Sequence, residues 1–426
     1  MTQIITIILI AAGLIAADFY IISGIRGASH KWKFPHKKSF TRWYWGISIF
    51  LIAGLFASIY VKMGIGIKGA LLMIFFIVLA AKILFLPFIF VDDIRRLLLY
   101  KARKHKKPEP EFPASHPKPD SIPRSEFLMK AGLLAGSLPM VSLGYGIVSG
   151  AYDYKIKRRT LYLPNLPKAF DGITLGQLSD IHSGSFYNQK AVRGGVEMLL
   201  KEKPDFIFFT GDLVNNVASE MRDYQDIFAK VKAPLGVYSS LGNHDYGDYA
   251  HWPSEADKRK NLDDLKATHK NMGWDLILNS NRRLKVDGEE IGILGVENWG
   301  SLSRFPKYGR VDLAVQNTQD LPVKLLLSHD PSHWRAQVLD YKDIDVMFSG
   351  HTHGMQFGIQ NRHFQWSPIQ YVYKEWAGFY REGNQQLYVN TGYGFLGYPG
   401  RIGILPEITI FTLKASADPA LKGKVS

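Results

Sequence analysis

Val237-Tyr238-Ser239-Ser240-Leu241-Gly242-Asn243-His244-Asp245 joins a short apolar run to a turn dense in polar donors. The run has the length and residue types of a buried strand, and Gly242 punctuates its end. An amide oxygen, an imidazole and a carboxylate then follow in consecutive residues. The same arrangement occurs four more times. Ile173–Leu178 leads into Ser179-Asp180-Ile181-His182, and Phe206–Thr210 into Gly211-Asp212. Val323–Leu327 leads into Ser328-His329, and Val346–Phe348 is soon followed by Gly350-His351-Thr352-His353. Ile291–Val296, Leu387–Asn390 and Glu407–Leu413 are further strand candidates. Apolar runs alternating with helical patterns from about Tyr154 onward describe an α/β fold, in which groups at strand C-termini gather at one edge of a sheet.

The chemistry of the collected residues narrows what they do. Asp180, His182, Asp212, Asn243, His329, His351 and His353 offer oxygen and imidazole nitrogen, with no sulfur among them. Hard-to-borderline metal ions want that mixture, and the missing thiolates argue against a structural zinc knuckle. The chain has no cysteine at all, which excludes disulfides and thiol catalysis.

Read together, Asp-x-His, Gly-Asp, Gly-Asn-His-Asp, a lone His and Gly-His-x-His resemble the calcineurin-like metallophosphoesterase superfamily. The resemblance runs from about Leu161 to Lys414 and takes in the tail segments Leu387-Tyr388-Val389-Asn390-Thr391-Gly392 and Pro406-Glu407-Ile408-Thr409. Gly-Asp alone is almost worthless as a signal, whereas five motifs in order at strand ends are specific. The resemblance implies a four-layer α-β-β-α sandwich and two divalent metal ions, manganese, zinc or iron. One ion would take Asp180, His182 and His353, the other Asn243, His329 and His351, with Asp212 bridging. Metals ~3.5–4 Å apart clamp the oxygens of an in-line displacement and lower the pKa of a bridging water. The implied activity is hydrolysis of a phosphomonoester, phosphodiester or pyrophosphate bond through a metal-bridging hydroxide. His244 matches the family residue that faces the phosphate without binding metal, and Asp245 is expected to hold its tautomer.

Other residues carry weaker signals. The remaining histidines, among them His269 and His333, lack a matching motif and read as packed or solvated. Met355 stands where many relatives have a second glycine. Arg401 could reach a substrate phosphate but reads as a surface arginine. The stretch 246–261, with Tyr249, His251 and Trp252, is either a wall beside the metals or a surface loop. Tyr371, Tyr373, Trp376, Phe379 and Tyr380 read as core.

The region ahead of these motifs has a different character. The net charge of +14 looks like a nucleic-acid signal until it is located. Residues 1–126 hold 18 Lys/Arg against 7 Asp/Glu, leaving 34 against 31 for the motif-bearing remainder. The excess lies beside apolar runs at about 4–25, 43–61 and 69–91, each near the ~20 residues a helix needs to cross a bilayer. That distribution fits membrane topology and gives no nucleic-acid footprint. A fourth run, 127–150, contains Lys130 and Pro139 and is expected to span as well. Residues 101–126, basic and broken by six prolines from Pro108 to Pro123, read as an extended cytoplasmic linker. The loops are heavily, lightly and again heavily basic. The positive-inside rule then places the N-terminus outside and, across a fourth span, the domain at 155–416 on the outer face of the plasma (inner) membrane. The segment Arg124–Lys130 resembles a twin-arginine export signal, departing from it at Ser125. Asp18 and Lys82, inside apolar runs, are expected to pair as structure rather than to form a transport path.

Membrane attachment makes a lipid phosphoester the natural substrate guess, and no motif speaks to oligomeric state. Three other readings stay open at this point. They are a transport or sensing protein, a metal-binding scaffold without turnover, and, with topology reversed, a cytoplasmic-face nucleotide-lipid pyrophosphatase.

Overall fold

The structure, a computed structural model, describes residues 2–28, 33–61, 65–104, 124–361 and 364–416. It separates into two compact units, Met1–Gly144 and Tyr145–Ser426. The first is helical. Helices α1 (Thr2–Ala28), α2 (Lys38–Tyr60), α3 (Ile65–Lys104) and α4 (Arg124–Val148) are each long and apolar enough to cross a membrane. The third continues beyond the expected end at residue 91. Asp92 pairs one turn later with Arg95 and Arg96, each at 2.8 Å, and such i,i+3 and i,i+4 pairs favour continued helix. The helix therefore enters the segment 101–126 read as a linker, α4 takes that segment's last three residues, and 105–123 lies outside the described residues. Asp18 of α1 is fully buried. Lys82 Nζ lies 2.6 Å from its carboxylate, and the hydroxyls of Tyr44 and Ser48 donate to it.

The second unit is built on two six-stranded sheets. The first has the order β1 (Lys155–Tyr162), β14 (Glu407–Lys414), β2 (Thr174–Leu178), β3 (Phe206–Thr210), β4 (Val237–Ser240), β5 (Asp275–Leu276). The second has the order β12 (Gly378–Glu382), β13 (Gln385–Val389), β9 (Val346–Ser349), β8 (Lys324–Leu327), β7 (Glu289–Gly295), β6 (Ser280–Val286). A two-stranded ribbon, β10 (Ile359–Gln360) with β11 (Gln365–Trp366), stands apart. The central strands β2, β3, β4 and β5 run parallel, as do β7, β8, β9 and β13.

Parallel strands buried on both faces read as continuous apolar runs, and β3, Phe-Ile-Phe-Phe-Thr, shows why. Side chains alternate across a strand, so Phe206 and Phe208 enter the core between the sheets with Leu325, Leu327, Val346 and Phe348. Ile207 and Phe209 face the other way, against Val192, Val196 and Leu199 of helix α5 (Gln189–Lys201). On the outer side of the second sheet, Leu294, Leu326 and Met347 pack against Trp334, Val338 and Ile344. Helical layers thus cover both sheets, which is the expected four-layer arrangement. Edge strand β1, Lys-Ile-Lys-Arg-Arg-Thr-Leu-Tyr, was not among the expected strands, yet it pairs in parallel with β14 more than 250 residues away.

Candidate metal centre

Each motif sits just past the C-terminal end of a central parallel strand, and the two sheets bring those ends together. Asp180 and His182 follow β2, Asp212 follows β3, Asn243 and His244 follow β4, His329 follows β8, and His351 and His353 follow β9. Leaving a strand this abruptly distorts the backbone. Asp180, His182, Asp212, His351 and His353 adopt left-handed conformations with φ of 51°, 49°, 60°, 72° and 51°. Each such residue costs on the order of 1–3 kcal/mol and persists only where the surroundings impose it, as at functional sites. The flanking glycines have a steric reason. A Cβ on Gly242 would collide with Asp212 Oδ1, and one on Gly350 with Asp180 Oδ2.

The side chains form two groups, Asp180 with His182 and His353, and Asp212 with His329 and His351. In each, candidate donor atoms lie within 4.8 Å of one another. His182 Nε2 is 3.0 Å from His353 Nε2, which in turn is 3.3 Å from Asp180 Oδ1. His351 Nδ1 is 2.8 Å from Asn243 Oδ1 and 3.3 Å from His329 Nε2, so Asn243 joins the second group. Asp212 Oδ2 lies 3.1 Å from His329 Nε2 and 3.5 Å from His182 Nε2, one oxygen between the two groups. All seven residues singled out in the sequence therefore stand at one place.

Lone pairs this crowded call for a cation. Among the described residues no Lys or Arg makes an ion pair with Asp180 or Asp212, although both are buried. Burial would lower the His329 pKa, yet the Asp212 and Asp180 carboxylates push it up to about 10, a measure of how strongly they draw positive charge. Burial holds His182 and His351 below the usual histidine range, which leaves their lone pairs available. Oxygen and imidazole donors around an unmatched negative charge fit divalent metal ions.

Surrounding contacts fix the ring orientations. His329 Nδ1–H donates to the Thr210 carbonyl at 2.7 Å, which turns Nε2 inward. His351 Nε2 lies 2.8 Å from the Tyr373 hydroxyl, itself 3.2 Å from Asp330 Oδ2. Such outer partners orient a ligating imidazole and raise its basicity. The sequence reading placed Tyr373 in the core and passed over Asp330. Its one available signal was that Asp330 directly follows His329.

Two readings need correction. Asp245 does not hold the His244 tautomer. Its buried carboxylate accepts from the backbone N–H groups of Asp212, Leu213, Val214 and Gly242, and so clamps the loop carrying Asp212. The Asn215 carbonyl takes the expected place, 2.7 Å from His244 Nδ1. Nor is Arg401 at the surface. It is fully buried, donates to the carbonyls of Gly394 and Gly392, and brings Nη2 within 3.1 Å of His353 Nδ1. No local pattern around residue 401 announces this, because the contact with His353 crosses 48 residues of sequence.

The centre opens into a cavity of about 300 Å³. His244, Tyr249, Arg304, Phe305, Ile369 and Leu396 line it beyond the metal-facing groups. The Tyr249 hydroxyl accepts from Asn243 Nδ2 at 2.9 Å and its ring lies 4.6 Å from that of His244, so the loop after β4 does form a wall. Arg304, on the loop after β7, stacks 4.7 Å above Phe305.

Comparison with known proteins agrees with this geometry. The family described as "Calcineurin-like phosphoesterase" matches residues 173–355, and "Probable Calcineurin-like phosphoesterase, transmembrane domain" matches 2–151. The Bacillus subtilis "Uncharacterized metallophosphoesterase YkuE" is 29% identical over 305 residues, 69% of this chain and 98% of that protein. The zebrafish (Danio rerio) "Transmembrane protein with metallophosphoesterase domain" is 28% identical over 292 residues, 66% of this chain and 62% of its own length. A Campylobacter jejuni "Uncharacterized metallophosphoesterase", 27% identical, is matched over 61% of this chain and 63% of its length. The match therefore spans a little under two thirds of the zebrafish and Campylobacter proteins. The domain implies divalent metal ions and a phosphoesterase class of chemistry, and the helices mark a membrane protein. The chain belongs to the calcineurin-like metallophosphoesterases, as a member whose phosphoesterase domain follows four apolar helices of membrane-spanning length.

Proposed function

We propose that the protein is a membrane-bound dinuclear-metal hydrolase of phosphomonoester, phosphodiester or pyrophosphate bonds, with a lipid-linked phosphoester as the favoured substrate. One observation carries the reading: Asp212 Oδ2 stands between His182 and His329, members of two separate donor groups. Asp180, His182 and His353 would hold one ion, Asn243, His329 and His351 the other, and Asp212 both. The donor set suits manganese, iron or zinc. When bound, such ions supply Lewis-acid stabilisation of phosphoryl oxygens and a water of lowered pKa.

The chain's own groups complete the chemistry. His244 donates Nδ1–H to the Asn215 carbonyl, and in its imidazolium form the Nε2–H would pass its proton to the leaving oxygen, returning the ring to neutral. Arg304 presents a planar donor set to phosphoryl oxygens at the cavity mouth. Tyr249, Phe305, Ile369 and Leu396 give the leaving group an apolar wall, which suits an acyl-bearing substrate better than a sugar. The loop charges support an orientation with this domain on the outer face of the plasma (inner) membrane.

The test is hydrolysis of a generic phosphomonoester and a generic phosphodiester by full-length, detergent-purified, manganese-loaded protein, with Asp212→Asn as control. Turnover that vanishes in the control supports the assignment. Equal turnover in both proteins contradicts it. A reporter fused to the C-terminus checks the outward orientation.

A further inference from the structure

The segment that leads into the β10–β11 ribbon is exposed in the opposite sense to an ordinary soluble surface. Phe357, Ile359 and Phe364 are 41%, 51% and 54% exposed, while the polar Gln356 among them is only 4% exposed. Gln356 is anchored inward, donating to the carbonyls of Tyr398 and Gly400 at 2.7 and 2.9 Å and accepting from the Leu396 N–H. Ile402 N–H donates to the Gln356 carbonyl at 2.8 Å, and Gly358 N–H to the Ile402 carbonyl at 2.9 Å. Apolar side chains are thus held outward by a rigid polar interior. Contiguous exposed apolar surface of this kind marks an interaction site.

Two further observations say what covers it. The first is chain continuity. Arg401, beside Ile402, donates its N–H to the Gly146 carbonyl, and Gly146 lies near the end of a helix whose span-length apolar stretch runs to Tyr152. Within this unit the ribbon is thus hydrogen-bonded, through Arg401 and Ile402, to the last residues of a stretch of spanning length. The second is charge. Strand β1 begins three residues after Tyr152 and carries Lys155, Lys157 and Arg159 on one face, since alternate residues of a strand point the same way. These three line a cavity of about 800 Å³ whose opposite wall includes Gln360 and Gln365 of the ribbon. Lys157 ties the two walls together, with Nζ 2.8 Å from Gln360 Oε1 and 2.7 Å from the buried carboxylate of Glu407. Lys155, whose Nζ also lies 2.7 Å from Asp153 Oδ1, and Arg159 are exposed cations of the rim.

We propose that this ribbon and the basic cavity beside it form a membrane-docking face of the phosphoesterase unit. Phe357, Ile359 and Phe364 enter the interface of the bilayer, and Lys155 and Arg159 take the phosphates of anionic phospholipids. Apolar side chains flanked by basic ones match the layered polarity of such a surface. The proposal concerns the seat of the unit on the membrane and does not depend on turnover.

The chain has no cysteine, so a single introduced one can be labelled without ambiguity. Phe364→Cys carries an environment-sensitive fluorophore in full-length protein reconstituted into nanodiscs with brominated acyl chains. Lys285→Cys, on β6 at the edge of the second sheet farthest from β12, is the control. The expected result is quenching at 364 several-fold above that at 285. It should be stronger with phosphatidylglycerol than with phosphatidylcholine alone, and the preference should disappear in Lys155→Glu/Arg159→Glu. Equal quenching at the two positions would overturn the docking face. Quenching indifferent to lipid charge and to the charge reversal would overturn the role of the basic cavity. A label at 364 shielded from aqueous iodide but untouched by brominated lipid would overturn the bilayer as occupant, in favour of a protein surface.

Discussion

Asp18 in the helical unit and Asp180 with Asp212 in the sheet unit are all buried carboxylates, but their surroundings differ. Asp18 has Lys82 at 2.6 Å and hydroxyl donors from Tyr44 and Ser48 on a second helix, so its charge is matched by the chain itself. Asp180 and Asp212 have imidazoles and amides around them and, among the described residues, no Lys or Arg in an ion pair. The comparison separates scaffold from chemistry. A buried charge whose partner is built in holds helices together. A buried charge left short of positive partners is a request for an ion from outside, and the left-handed backbone at five of its residues shows that the fold accepts strain to keep that request standing.

The largest effect should come from Asp212→Asn, which removes the oxygen between the two groups. Turnover should fall by on the order of 10³-fold or more, with metal content falling alongside when both are measured on one preparation. Full metal occupancy in that variant would break the comparison at its centre. His244→Ala should keep the metal content of the parent and lose about 10²–10⁴-fold in turnover, because its part is proton delivery. Loss of metal there would move His244 into the ligand set.

The helical side of the comparison predicts a different signature. Asp18→Ala leaves the half-buried Lys82 without its partner, and breaking a buried pair costs up to about 3–5 kcal/mol. Denaturant titration of the solubilised protein should show that loss, while hydrolysis per bound metal stays at the parent level. Asp18→Leu/Lys82→Leu should recover most of the stability, since an apolar replacement of a whole buried pair is often neutral. An activity loss in the double variant that is not a stability loss would give the pair a functional role. Tyr373→Phe should have the smallest effect. It removes the hydroxyl beside His351 Nε2 and should weaken metal affinity about 10–100-fold, read by competition with a chelator.

What the sequence could disclose follows from the same physics. Strands β2, β3, β4, β8 and β9 are legible because burial on both faces writes a continuous apolar run, and a polar motif just beyond each is hard to mistake. Strand β1 is not legible, because an edge strand facing a basic cavity has no apolar pattern to show, and its partner β14 is the last strand of the fold. The same distance hides the second tier of the centre. Tyr373 meets Asp330 and His351 only through tertiary packing, and Arg401 reaches His353 across 48 residues. Asp245 was misassigned because adjacency to His244 in sequence suggested contact. In the fold its carboxylate turns to the backbone N–H groups of the neighbouring loop.

The most direct measurement of the central claim is the metal content of the full-length protein. Inductively coupled plasma mass spectrometry would follow purification, chelation and re-addition of manganese, with the thermal transition recorded at each stage. Two ions per chain, a lower midpoint after chelation and its recovery on re-addition are the result this account predicts. A chain that binds no stoichiometric metal, and whose midpoint ignores chelation, would contradict it.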